Sequence, residues 1–536
     1  MPDPTSSAAP DPPITPHPSA ADTRITPEIL KISVAVVLGM IIAILDMTVV
    51  NVALPTFQRE FDVEAYSTVA WTVTAYTLAL AAIIPVTGWA ADRFGTKRLY
   101  ITALTLFTLG SVLCATAWNI EALIGFRVVQ GLGGGMLMPL GMTIITKVAG
   151  PARMGRLMAI LGVPILLGPV LGPIIGGWLI DAASWHWIFL INLPLGAAAI
   201  AYSAWVLEPD NPEPSETFDL IGMLLMSPGL ALFLYGASSV PSAGTVMATT
   251  VLLPGIVGLA LLGAFAVWAF RPRHPLLDLR LFHDRNMTVA TIVIFLFAAA
   301  FFGALLLVPT YFQQVRGESV MMAGLLVAPQ GLGAMLTMPL AGALSDRFPI
   351  GRIVPFGMLG IVIGIGGLAL DSGVDTPYWR LITYLFITGL GMGATMMPVF
   401  TAALRTLRSE QAARGSTLIN VVQQVASSIG VALMSVVLTN QQNASEPLGA
   451  FRAIGEATAA GVQPPEWATA IAGRFGDALQ GMALSDLAGA FETAYWVATV
   501  ALILTFIPVA FLPRKHPVSA PVEDGTEPKR EPIIPH

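Results

Sequence analysis

Fourteen apolar runs, each long enough to cross a lipid bilayer, dominate the sequence: residues 30–57, 67–91, 99–118, 121–146, 157–180, 187–207, 219–239, 249–270, 288–312, 320–343, 353–370, 379–404, 416–439 and 489–512. A helix rises ~1.5 Å per residue, so ~20 apolar residues span the ~30 Å hydrocarbon layer. Inside that layer only helices and closed barrels satisfy every backbone donor and acceptor. Charged residues make up 11% of the 536-residue chain against ~25% in ordinary soluble domains, which excludes a soluble globular protein. The reading is an all-α polytopic membrane protein, with the lipid bilayer as its first partner. The net charge of −6 is dispersed over loops and tails and implies no nucleic-acid partner.

Placing both termini in the cytoplasm puts 21 of the 27 Lys and Arg on cytoplasmic segments and 5 on outer ones, with Arg127 inside a run. The positive-inside bias therefore predicts cytoplasmic termini. Residues 1–29 are proline-rich and lack a basic signal-peptide start, so a disordered cytoplasmic tail is expected, with a second tail over 513–536. Two connections are long. Residues 208–218 form an acidic, proline-rich spacer, and residues 440–488 are read as a mobile or partly helical outer loop.

The chain repeats itself. PVTGWAADRFGTKR at 85–98 realigns with PLAGALSDRFPIGR at 339–352, an offset of 254; Gly131, Gly133 and Pro139 return as Gly389, Gly391 and Pro398, an offset near 258. Parallel repeats of this kind build many secondary transporters, with the substrate site between the halves. Six spans and their loops need only ~200 residues, so two helices are inserted. The expected plan is 6+2+6: bundles at 30–207 and 288–512, pseudo-symmetric, with the spacer and inserted pair at 208–287.

Several polar residues inside the runs are costly enough to need a reason. Asp46 lies in mid-span, where an ionised carboxylate costs ~2.5–3.5 kcal/mol, so it either couples to a proton or cation or is a neutral or paired packing residue. Arg127 shares a helix face with Gln130, Gly131, Gly134 and Met138 and acts either on Asp46 by its field or on carbonyls of a kinked helix. Residue counting sets it ~9 Å further out than Asp46, which does not establish a direct ion pair. Asp92, Arg93 and Arg98 stand at one helix end and recur in part as Asp346 and Arg347, either anchoring the loop or closing the inner face across the halves. Gly168, Gly172 and Gly176 form tandem GxxxG steps, with Pro169 and Pro173 permitting a bend: a close-packed gate helix or plain packing. Asn420, Gln423, Gln424, Ser427 and Ser428 make a polar stripe that lines a wet cavity or bonds across helices. Trp71, Tyr76, Gln130 and Gln330 are further candidates for a cavity that takes amphiphiles.

Other chemistries lack their residues. Cys114 is the one cysteine, the histidines make no zinc pattern, and no Gly-x-Ser-x-Gly elbow or Gly-Lys-Ser/Thr P-loop is present. Neither an enzyme nor a metal site is expected. No cofactor is expected, and without a P-loop ATP is not the direct energy source.

Four ordered motifs carry a resemblance: LDMTVVNVALP at 45–55, GWAADRFGTKR at 88–98, Arg127 with Gln130-Gly131, and 168–177. Together they resemble the fourteen-helix drug/proton antiporters of the major facilitator superfamily, EmrB/QacA type. The resemblance implies the major facilitator fold and export of lipophilic compounds coupled to proton entry, with Asp46 carrying the proton and Arg127 assisting. It implies a bacterial inner membrane and, in some relatives, a membrane-fusion partner. Relatives that handle dications carry a further acid in the tenth helix, where this chain has only Gln330, so monocations or neutral lipophiles are the expected cargo. The alternatives are a dedicated exporter of a lipid, siderophore or peptide, an uptake symporter, and a nontransporting receptor or scaffold.

Overall fold

The computed structural model describes residues 25–514 except 64–65, 150–152, 210–216, 244, 273–274, 406 and 408–410. Most of both tails and the centre of the acidic spacer lie outside the described residues. The helices are α1 (Pro27–Glu60), α2 (Tyr66–Phe94), α3 (Thr96–Ala115), α4 (Ile120–Ala149), α5 (Met154–Ala182), α6 (Trp187–Leu190), α7 (Asn192–Val206), α8 (Leu220–Ser238), α9 (Val240–Ala243) and α10 (Thr249–Trp268). They continue as α11 (Arg285–Gln314), α12 (Val320–Arg347), α13 (Ile350–Asp371), α14 (Tyr378–Leu404), α15 (Ala412–Ala444), α16 (Glu446–Ala460), α17 (Glu466–Phe475), α18 (Leu479–Leu504) and α19 (Phe506–Val509).

Each of the fourteen apolar runs is a helix or a broken pair of helices. Among the described residues 13 stretches are long and apolar enough to cross a membrane, and α5, with 29 residues, is the remaining run. Short polar side chains start several of them by occupying backbone N–H groups that have no partner in the first turn. Asp219, Asp284 and Ser319 accept from Gly222, Met287 and Met322 at 2.8, 2.8 and 3.1 Å. Thr26 caps α1 with Pro27 behind it, so the helix starts inside the expected tail.

The repeat is visible as backbone packing. Glycines on α4 let it approach α2 and α3, and their equivalents on α14 do the same to α12 and α13. A side-chain carbon at Gly135 would stand 2.5 Å from the Leu80 carbonyl oxygen; at Gly393 it would stand 2.5 Å from that of Ala334. Gly133 likewise meets Phe107, and Gly391 meets Ile361. Leu80 and Ala334, and Phe107 and Ile361, are both separated by 254, the offset of the sequence repeat. Two bundles of one design result.

The bundles meet where α5 packs on α12 and α14 and where α15 packs on α2 and α4. Helices α8 and α10, expected as an inserted pair, pack on each other, and α8 also reaches α2 and α15, beside that seam. Trp118, Trp205 and Trp379 are exposed at or near helix ends, where indole rings favour the membrane–water boundary. Of the two readings of 440–488, mobile or partly helical, the segment takes the second and is mostly helical. Ser445 caps α16 by accepting from Leu448 at 3.1 Å, Gly461 ends it at φ 66°, and Ala450, Ala468 and Leu479 form a small core there.

Candidate functional site

Asp46 on α1 and Arg127 on α4 form an ion pair, Nη1 to Oδ2 2.5 Å, with both side chains fully buried. The residue count that left this pairing open fails for a geometric reason. Helix α1 has 34 residues, ~51 Å at ~1.5 Å each, against a ~30 Å hydrocarbon layer. Position along so long a helix does not measure depth.

Five helices build the site around the pair. Asp46 Oδ1 accepts from Gln130 Nε2 at 2.8 Å and from Asn192 Nδ2, on α7, at 2.9 Å. Ser111 on α3 accepts from the same two amides at 2.6 and 3.2 Å. Gly110 beside it makes this reach possible, because a side-chain carbon there would strike the Gln130 backbone. Arg127 donates from Nε to the Thr72 carbonyl at 3.0 Å and from Nη1 to Gln130 Oε1 at 2.6 Å, and its Cζ lies 4.0 Å from the centre of the Tyr76 ring. All three side-chain groups that touch the carboxylate donate to it, an arrangement suited to an ionised Asp46. Thr72, Ser111 and Asn192 have no role assigned from sequence: Ser111 and Asn192 are marked only as polar residues in apolar spans, and Thr72 acts through its backbone carbonyl.

The glycine face of α5 lies directly on this part of α1. Gly168 meets Ile44, Gly172 meets Thr48 and Gly176 meets Val49, and the Thr48 hydroxyl donates to the Gly168 carbonyl at 3.1 Å. The tandem steps therefore serve a contact within the first bundle, two residues from Asp46. Pro169 and Pro173 fall within α5.

At the end of the bundles carrying the α2–α3 turn, Asp92 pairs with Arg414 of α15 at 3.3 Å. Thr143 and Ser416 share a hydrogen bond of 2.7 Å nearby, and Gly88 lets α2 approach Ala413, Arg414 and Thr417. The two halves are thus tied together at this end. Arg93 is half-buried, Arg98 and Arg347 are exposed, and the side chain of Asp346 lies outside the description.

A cavity of about 290 Å³ lies between the halves, lined by Met40, Met47, Leu80, Met138 and Phe302 with Tyr76, Asn420, Gln423, Gln424 and Ser427. Among the described residues its walls carry amides and hydroxyls but no charged side chain. Four of the expected cavity residues are here; three are elsewhere. Gln130 is buried in the Asp46 network, Gln330 is buried with its backbone against Gly389, and Trp71 stacks on Tyr235 of α8. Ser428 is half-buried on the stripe and does not line this cavity. No cluster of three or more His, Cys, Asp or Glu suited to a metal occurs among the described residues.

Comparison with known proteins fits this architecture. The family profile described as Major Facilitator Superfamily matches residues 36–431. The chain belongs to the major facilitator superfamily. It is 47% identical over 500 residues to the Multidrug resistance protein B homolog of Mycobacterium tuberculosis, covering 92% of this chain and 91% of that one. It is 29% identical over 427 residues to the Multidrug export protein EmrB of Haemophilus influenzae, covering 77% and 81%. The human organic anion transporter MFSD10 (TETRAN) shares the fold at TM-score 0.61 and 16% identity, over 90% of this chain and all of that one. As a superfamily member the protein is a multi-pass membrane transporter, and its resemblance to the EmrB type is matched by these relatives.

Proposed function

We propose that this transporter is a proton-coupled multidrug exporter that works by alternating access in a bacterial plasma membrane, both termini cytoplasmic. The observation that carries the reading is the buried Asp46–Arg127 pair held beside a cavity it does not open into. A carboxylate placed there at high cost is useful if it binds and releases a proton as water reaches it from alternate sides. The relatives named for multidrug resistance and export support the direction and breadth of transport.

Protonation of Asp46 removes the charge that Arg127 and two amides hold, loosening α1 from α4 and α7. The α5 glycines, packed on α1 beside Asp46 while α5 also packs on the second half, carry that change to the seam. With the termini inside, the Asp92–Arg414 pair closes the cytoplasmic end and breaks when that end opens. The uncharged cavity, rich in Met and amides, suits lipophilic monocations or neutral compounds. Uptake of ethidium and a panel of neutral lipophiles into gradient-energised inverted vesicles tests the reading: accumulation of several of these compounds, stopped by an uncoupler, is expected. Transport of a single compound, or uncoupler-insensitive transport, contradicts it.

A further inference from the structure

Tyr76 stands between the cavity and the ion pair. Its ring lies over the Arg127 guanidinium at 4.0 Å, and the residue also borders the cavity beside Leu80, Gly134 and Met138. Its backbone is pinned: a side-chain carbon at Gly131 would stand 2.6 Å from the Tyr76 carbonyl oxygen, so α2 is pressed onto α4 at this residue. Any movement here must come from the side chain.

The hydroxyl is the unusual part. It is buried and meets no hydrogen-bond partner among the described residues, as is also true of Arg127 Nη2. A Phe would stack on Arg127 equally well without stranding a polar atom. The hydroxyl fits only because residue 134 is glycine, where a side-chain carbon would stand 2.6 Å from the oxygen. Such a group points to a partner met in a second position, and Asn420, Gln423, Gln424 and Ser427 line the same cavity. In the second half the equivalents of Tyr76 and Arg127, by the repeat offsets, are Gln330 and Leu385, so this arrangement belongs to the first half alone.

We propose that Tyr76 makes cargo binding and proton binding mutually exclusive; this rests on reading Asp46 as the proton site. Cargo packed on the cavity side of the ring holds it against Arg127, and Arg127 holds Asp46 ionised, so a proton leaves Asp46 for water as cargo binds. When Asp46 takes a proton, Arg127 loses its counter-charge and moves off the carboxyl, pushing the stacked ring into the cavity. Its hydroxyl then bonds to the α15 stripe and cargo is displaced. No covalent bond other than that to the proton changes, and by linkage each ligand weakens the other by the same factor. Among the described residues the charged and titratable groups around Asp46 are Arg127 on α4, Tyr76 on α2 and Cys114 on α3; α7 meets it with the Asn192 amide, and α5 packs on α1 beside it through glycines.

The test uses the full-length protein in detergent and weak buffer, with tetraphenylphosphonium as probe, binding by equilibrium titration and proton release by an indicator dye. Wild type is expected to release protons as the probe binds, and Asp46→Asn to bind the probe and release none. Tyr76→Leu, compared at probe concentrations that give the same occupancy as wild type, should release about one fifth as many protons per bound probe, or fewer. Tyr76→Phe, which keeps the stack and loses the hydroxyl's second partner, should fall between Tyr76→Leu and wild type. Wild-type release from Tyr76→Leu overturns the proposal; should that variant not fold, wild-type release from Tyr76→Phe overturns it. Equal release from Asp46→Asn and wild type would instead remove the proton-site reading beneath it.

Discussion

The Asp46 carboxylate and the Arg127 guanidinium, 81 residues apart in the chain, meet at 2.5 Å with neither side chain exposed. Each is the other's compensation for leaving water. Removing one strands the other, which typically costs about 3–5 kcal/mol. Arg127→Ala is therefore expected to lower the unfolding temperature and abolish gradient-driven efflux. Arg127→Lys keeps a charge but cannot serve Asp46, the Thr72 carbonyl and the Tyr76 ring together, so about a tenfold loss of efflux or more is expected. Cys114 is buried and is the chain's one thiol, so a thiol-reactive dye reports unfolding in the same samples.

Asn192 tests whether the amides matter beyond the ion pair. Asn192→Ala leaves Oδ1 with Gln130 as its one remaining side-chain donor. Hydrogen bonds to charged groups contribute about 1.5–3 kcal/mol, so dye efflux should fall about tenfold or more. Efflux at the wild-type rate would show that α7 does not help to hold the carboxylate.

The glycines of α5 separate contact from composition. Gly172→Ala drives a methyl into Thr48 on α1, whereas a carbon at Gly177 meets nothing within 4 Å. Gly172→Ala should destabilise by about 1–3 kcal/mol and impair efflux, while Gly177→Ala is expected to behave as wild type. Equal behaviour of the two in a thermal-shift and efflux comparison would contradict the α1–α5 contact.

Asp92 and Arg414 are mostly buried partners in different halves. Reversing either charge, as Asp92→Arg or Arg414→Asp, should impair transport, and the double reversal should recover much of it. Dye efflux from the three variants measures this; no recovery in the double variant would mean that the pair does not link the halves during the cycle.

Much of this was legible because lipid leaves a chain few options. Fourteen apolar runs had to be helices, and the repeated glycines returned as matching close approaches, Gly131 on Tyr76 and Gly389 on Gln330. Asp46, Arg127 and Gln130 stood out because ionic or amide groups in mid-span need partners, and helical spacing put Arg127 and Gln130 on one face. What stayed hidden depends on tilt and depth. The direct ion pair was one case; Arg414 as the partner of Asp92 was another, since a base far along the chain carries no local mark. Thr72 contributes a backbone carbonyl, which every residue has. Trp71 and Gln330 looked like cavity residues by type, but their helix faces turn toward α8 and α14 instead.

The coupling role of Asp46 is tested most directly in proteoliposomes carrying an imposed proton gradient, by recording dye transport and proton movement together for wild type and Asp46→Asn. Wild type should move dye and protons in opposite directions, and Asp46→Asn should bind dye yet move neither under the gradient. Gradient-driven dye transport by Asp46→Asn at the wild-type rate would contradict the account.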